Sequence, residues 1–173
     1  HVEAGLRTHN IYSPWPEEIN RQITSRIATL NFAPTSLSST NLENEGIDKK
    51  SIVVTGNTVI DALVTVVEKL KQDESLANTM AERFGFLDPS RRLILVTGHR
   101  RENFGEGFLN ICRALAELAE DASLQIVYPV HLNPNVQKPV YDLLSAHENI
   151  HLIEPQDYLP FVYLMDRSHI ILT

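Results

Sequence analysis

Cysteine is all but missing. Cys112 stands alone among 173 residues, so no intrachain disulfide framework can hold the fold, and a packed core has to do so. Basic residues are outnumbered, 15 Lys and Arg against 22 Asp and Glu, for a net charge of −7. A general nucleic-acid or membrane-surface binder carries a basic face, so neither partner is expected, although a local basic pocket for a small anion is not excluded. No apolar run nears the ~20 residues of a membrane span, and no signal peptide is expected. A cytoplasmic protein is the expectation. Hydrophobic residues reach 43% and charged ones 21%, a balance that can bury a core. The chain starts HVEAG and closes on HIILT, an apolar strand of the kind that a turn and a covering helix normally follow in an α/β sheet. We therefore expect an interior piece of a longer protein.

Repeats and low-complexity tracts are absent too; what remains is an alternation of strand-like and helix-like segments. A short strand ends at about Ala4. A loop with Pro14 and Pro16 leads into a helix over 16–30, with Ile19, Ile23, Ile27 and Leu30 on one face. NFAP (31–34) reads as a short strand and 36–45 as a helix, stopped by Gly46 at a C′ position. IVVTG (52–56) is β-branched, and Asn57 then caps a helix whose Ile60, Leu63, Val64, Val67 and Leu70 form one stripe. A second helix spans about 74–84. Three sharper βα units follow: strands 93–97, 124–130 and 149–153 precede helices at 107–121, 134–146 and 157–166, before the closing strand. Repeated βα units with apolar strands predict parallel sheets covered on both faces. The helical stretch 57–85 breaks the rhythm, so the expected division is 1–56 and 57–173.

Ligands of open parallel sheets bind beyond the carboxyl ends of the strands. That rule singles out Glu3 with Arg7, the turn Thr55-Gly56-Asn57, the run Gly98-His99-Arg100-Arg101, and His131-Leu132-Asn133. Glu17 and Glu18 open a helix behind Pro16, where a carboxylate complements the helix dipole and can pair with Arg21 four residues on. Glu17 points away from the isoleucine stripe, so the core does not require it. Trp15 reads as a packing residue that could instead line a cleft, Thr55-Gly56-Asn57 as a capped turn, and Cys112 as core with Phe108, Ile111 and Leu115. In ILVTGHRRENFGEG (94–107) no Lys follows Gly105, so the Walker loop fails, and Asn110 stands where a Rossmann fingerprint needs glycine. No cofactor motif is visible. Two guanidiniums and a histidine shortly before a helix start favour an anion, with a structural histidine as the alternative. His131 could equally be bonded to backbone.

HVEAGLRT, SPWPEE, TGNTVIDAL, VTGHRREN, YPVHLNPNV and DYLPFVYLM occur in this order over essentially the whole chain. The set resembles the non-hydrolysing bacterial UDP-N-acetylglucosamine 2-epimerases. The resemblance implies a glycosyltransferase-B-like α/β fold, two Rossmann-like parallel-sheet domains with the active site in the cleft between them. This chain would hold the end of the first and the start of the second. It implies a reaction on UDP-GlcNAc that eliminates UDP across C1–C2 to 2-acetamidoglucal and re-adds it to the other face, giving UDP-ManNAc without a cofactor or metal. The family's catalytic glutamates fall on Glu3 and Glu17 and its active-site histidine on His99; Arg100, His131 and, more distantly, Arg7 carry over as substrate contacts. A homodimer and a role in cell-envelope polysaccharide precursors are implied as well. A catalytic aspartate before His1 and a Ser-Gly-Gly uridine loop after Thr173 are expected in the whole protein, so the isolated chain should be inactive. The rivals are a hydrolysing epimerase of the same fold, a glycosyltransferase, and a non-catalytic nucleotide-sugar-binding module.

Overall fold

Leu93 to Val96 are four consecutive apolar residues, and a strand with no polar face has to be covered on both sides. The computed structural model, which describes residues 1–98 and 105–173, meets that demand with helices. The chain divides into two compact units, His1–Thr65 and Val66–Thr173.

In the first unit, strands β1 (Asn31–Ala33) and β2 (Ile52–Val54) pair in parallel, and Val2 adds a single parallel bridge to Phe32. Helices α1 (Glu17–Ile27) and α2 (Ser36–Asn44) follow the chain order around them, and a short 3₁₀ turn, Lys49–Ser51, leads into β2. The core is small: Ala4, Ala33 and Leu42 are fully buried, with Ile47 and Ile52 packed on them. Thr35 caps α2 by accepting the Ser38 N–H at 3.1 Å, and Gly46 ends it at φ 81°.

The second unit carries a four-stranded parallel sheet in the order β5-β4-β3-β6, built from β3 (Arg92–Val96), β4 (Leu124–Pro129), β5 (Ile150–Ile153) and β6 (Ile170–Leu172). Successive side chains of a strand face opposite ways. Ile94 and Val96 join Ile126 and Tyr128 under α5 (Glu106–Leu118) and α6 (Pro134–Leu144), packing with Phe108, Cys112, Leu115, Val136, Val140 and Leu144. α7 (Tyr158–Arg167) packs on β3, burying Val162 and Leu164. Burial raises the Cys112 thiol pKa, so the residue is core, as expected; Ile111 instead lies at the surface. Asn133 caps α6 and Pro134 is its first residue, also as the sequence indicates.

Three expectations about burial need correction. α1 turns Glu18 and Ser25 inward, while Ile23, Ile27 and Leu30 are exposed, Ile27 by 78%. The periodicity identifies the helix but not its buried face, because Glu18 and Ser25 are held by hydrogen bonds that a hydrophobic pattern does not register. Along α3 (Thr58–Gln72) only Leu70 of the stripe is buried, with Ile60 and Val64 in its leading half exposed; the division between the two units falls within this helix. Trp15 is exposed against Tyr12, ring centroids 6.3 Å apart, not packed in a core. α4 (Glu74–Arg83), by contrast, begins at Asp73, which accepts the Leu76 N–H at 3.0 Å.

Gly5 shows how tightly the first loop is seated. It sits at φ 85°, and a Cβ there would lie 2.1 Å from the Ser38 carbonyl oxygen. Both the left-handed backbone and the contact exclude a side chain. Gly5→Ala in the full-length protein is expected to lower stability by about 3 kcal/mol or more, read as a fall in the midpoint of urea denaturation.

Candidate active site

The HVEAGLRT segment leaves its bridge to β1 at Val2 and turns at once. The Ala4 N–H donates to the Phe32 carbonyl at 2.9 Å, and Phe32 N–H to the His1 carbonyl at the same distance, so the two residues between, Val2 and Glu3, are pinned on both sides. Glu3 has φ 59°, a left-handed conformation that is rare outside glycine. Its side chain is half-buried, and among the described residues its carboxylate has no hydrogen-bond or ion-pair partner.

Downstream of Glu3 every anchor is polar. The Gly5 carbonyl accepts from Asn41 Nδ2 at 3.0 Å. The Arg7 side chain is fully buried, and its guanidinium forks onto Glu45, Nε to Oε1 at 2.6 Å and Nη2 to Oε2 at 2.8 Å, with further donation to the Leu6 carbonyl and to Ser25 Oγ. A bidentate pair of this kind fixes geometry as well as charge. Arg7 thus directs four hydrogen bonds into the unit and ties the loop to the end of α2. Thr8 N–H and His9 N–H then donate to the two oxygens of Glu18, at 3.1 and 3.3 Å, and Gln22 Nε2 adds a third bond at 3.4 Å.

Glu18 is fully buried. Burial by itself would raise its pKa, but the backbone donors of Thr8 and His9, the Gln22 amide and the nearby Arg7 charge outweigh that and hold the carboxyl below its usual range. Its neighbour Glu17 is different: 53% of its side chain is exposed and it pairs with Arg21 at 2.5 Å. Adjacent carboxylates in one helical turn are therefore split into a buried tether and an accessible acid.

In the second unit the strand order reverses between β3 and β6, a switch point of the sort where parallel sheets bind ligands at their carboxyl ends. A cavity of about 240 Å³ opens at that end, lined by Val96, Thr97, His131, Gln156 and Phe161 among others. His131 Nδ1 accepts the Asn133 N–H at 3.1 Å, which places the proton of a neutral ring on Nε2. Gln156 is oriented by Arg83, which donates to its Oε1 at 2.8 Å, and by the Glu154 carbonyl, which accepts from its Nε2 at 2.6 Å. Neither Gln156 nor Phe161 was singled out by residue type; their place just after β5 and in α7, at a strand end, is the signal that finds them. His99, Arg100 and Arg101 lie outside the described residues. The described chain ahead of them ends at Gly98, whose carbonyl accepts a 2.5 Å hydrogen bond from the buried Tyr128 hydroxyl, a phenol kept protonated because burial raises its pKa. Among the described residues no cluster of three or more His, Cys, Asp or Glu could hold a metal ion, and no helix is long and apolar enough to cross a membrane.

A sequence profile of the UDP-N-acetylglucosamine 2-epimerases matches residues 1–173. The chain belongs to that family. It is 56% identical to the UDP-N-acetylglucosamine 2-epimerase of Yersinia pestis and 52% to that of Escherichia coli K12, in each case over the whole of this chain and 46% of the relative. The crystal structure of the Neisseria meningitidis UDP-GlcNAc 2-epimerase bound to UDP-GlcNAc superposes with a TM-score of 0.91 at 55% identity, over 99% of this chain and 46% of that one. The S. aureus MnaA–UDP co-structure gives 0.85 at 41%, over 99% and 45%. With the wall teichoic acid polymerase TagF, 14% identical at a TM-score of 0.52 over 90% of this chain and 37% of that one, only the fold is shared. The fold class is thus the α/β, glycosyltransferase-B-like one that the motifs imply. The chain spans about half the length of the relatives it matches.

Tyr128→Phe removes only the hydroxyl that holds the Gly98 carbonyl. In the full-length protein it is expected to cost about 1 kcal/mol, measured as a lower denaturation midpoint with the secondary structure intact.

Proposed function

We propose that the protein containing this chain interconverts UDP-GlcNAc and UDP-ManNAc as a non-hydrolysing 2-epimerase. The observation that carries the reading is Glu3: a carboxylate at the end of a strand bridge, in a left-handed conformation, pinned by backbone bonds on both sides and without a partner among the described residues. The relatives' shared name and the UDP-GlcNAc held by the Neisseria structure support the choice of substrate.

The proton on C2 of the sugar has no adjacent carbonyl to acidify it. Its removal therefore has to accompany departure of UDP from C1, the C–H electron pair becoming the C1=C2 bond of 2-acetamidoglucal while the C1–O pair leaves with the diphosphate. Addition in the reverse sense delivers a proton to the opposite face of C2 and re-forms the C1–O bond. Two positioned acid/base groups are needed, and Glu3 and Glu17 fill those roles. Glu17 is accessible, and its ion pair with Arg21 orients it. His99 and Arg100 stabilise the departing diphosphate, with His131 as a further substrate contact. The cavity at the carboxyl ends of β3 and β4 takes part of the nucleotide, its Phe161 offering an apolar wall. Arg7 serves the site indirectly, by fixing the loop through Glu45. No cofactor or metal is required. A homodimer acting in the cytoplasm on cell-envelope polysaccharide precursors belongs to the same proposal.

Incubating the full-length protein with UDP-GlcNAc in D2O and following it by NMR should show deuterium at C2 of UDP-ManNAc and of recovered UDP-GlcNAc. Accumulation of free ManNAc would instead establish the hydrolysing reaction, and sugar transfer to an acceptor without exchange at C2 a glycosyltransferase. Glu3→Gln and Glu17→Gln should each lower turnover by about 10²–10⁴-fold; undiminished turnover would refute their roles.

A further inference from the structure

We propose that Glu18 is a positioning residue for the chemistry at C2, holding the loop that carries Glu3 and the helix that carries Glu17 in one fixed relation. The inference rests on the epimerase reading and names a residue that the reading does not use.

The segment from Glu3 to His9 is anchored at three places after its bridge to β1. Gly5 is seated on α2 through Ser38 and Asn41, Arg7 is clamped to Glu45, and Thr8 and His9 end on the Glu18 carboxylate. The first two anchors fix the loop to the α2 side of the unit. The third is different, because it joins the loop to the first turn of α1, one residue from Glu17. A second link to α1 runs through Ser25 Oγ, which meets both Arg7 and the His1 ring, but it lies two turns farther along the helix. The orientation of the first turn relative to the loop is thus set at Glu18.

Chemistry explains why the tether is a carboxylate. Two backbone N–H groups converge on one side chain, and His9, which donates one of them, sits at φ 59°. Both donors belong to exposed residues and meet the fully buried Glu18 carboxylate in part-buried hydrogen bonds. Glu supplies two equivalent oxygens, one for each. Gln at the same position has the same length and shape but offers one oxygen and one NH2, so one of the two backbone donors would face another donor. A change of that size moves the loop against the helix without emptying any cavity. Proton transfer is sensitive to such shifts: misplacement of a reacting group by about 1 Å can cost on the order of 10²-fold in rate.

The test uses the full-length protein. Glu18→Gln should lower kcat by about 10- to 100-fold with KM for UDP-GlcNAc changed less than about twofold, since the residue does not meet the substrate. The kinetic isotope effect measured with UDP-GlcNAc deuterated at C2 should rise, because C–H cleavage becomes more rate-limiting. UDP-binding stoichiometry gives the fraction of folded sites, to which kcat is normalised. A purely structural role would reduce that fraction and leave the normalised kcat and the isotope effect unchanged, which would overturn the proposal. Glu18→Asp keeps both acceptor oxygens one methylene farther back and provides the same readouts if the Gln variant does not fold. Its normalised kcat should lie between those of the wild type and Glu18→Gln, or below the wild type with a raised isotope effect where Gln gives no protein; a normalised kcat and isotope effect equal to the wild type would likewise overturn the proposal. If Glu3→Gln and Glu17→Gln abolish turnover while the Glu18 variants do not slow it, the positioning role fails and the epimerase reading survives. If Glu3→Gln and Glu17→Gln themselves leave turnover intact, the reading beneath it falls.

Discussion

A carboxylate shut off from water is costly unless its charge is answered within the protein. In the first unit that constraint organises the candidate site. Glu18 is answered by two backbone N–H groups and one side-chain amide, with the Arg7 charge nearby. Arg7 in turn is answered by Glu45 at the far end of α2. The result is a polar interior running from α1 through the loop to α2, where the apolar core is only Ala4, Ala33 and Leu42 with their neighbours. Hydrophobic contact tolerates sliding; a buried carboxylate with fixed donors does not. A loop that must present a reacting group is better served by the second kind of anchor.

The second unit solves the same task by other means. Its central strands β3 and β4 are buried on both faces, while β6 is exposed, and its helices lay Phe108, Cys112, Leu115, Val136 and Val140 across the sheet. Position there follows from packing, and the polar groups that matter emerge only where strands end: Tyr128 reaching Gly98, His131 accepting from Asn133, and Gln156 held by Arg83 and Glu154. Phosphate and sugar chemistry of the type proposed calls for both kinds of support, a rigid platform for the leaving group and carboxylates whose protons can move.

This difference decides what could be read from the residues in advance. The βα rhythm of the second half is legible because uninterrupted apolar strands such as LILV have one explanation in a parallel sheet, and Asn57, Asn133 and Gly46 announce helix ends by their own chemistry. Glu3 and Glu17 stand out through their motifs. Glu18 does not, since in a sequence it is one more acid in a first helical turn, and only the folded loop brings two N–H groups to it. The same blindness inverts α1, whose isoleucines promise a buried face that Glu18 and Ser25 occupy instead. Arg7 looks like an anion contact for the same reason: its partner, Glu45, is 38 residues away in the chain.

The backbone of Glu3 gives the last step. A residue with a Cβ at φ 59° costs of order 1–2 kcal/mol relative to an ordinary conformation, and a glycine there would relieve it. Gly5, two residues on, has both a left-handed backbone and a contact that leaves no room for a side chain, whereas Glu3 and His9 keep theirs at φ 59°. At position 3 the side chain is kept in spite of the strain, and the carboxylate it presents is engaged by none of the described residues. Strain retained around an unengaged acid, beside a loop held at Ser38, Glu45 and Glu18, is the local support for the proton-transfer role proposed for Glu3.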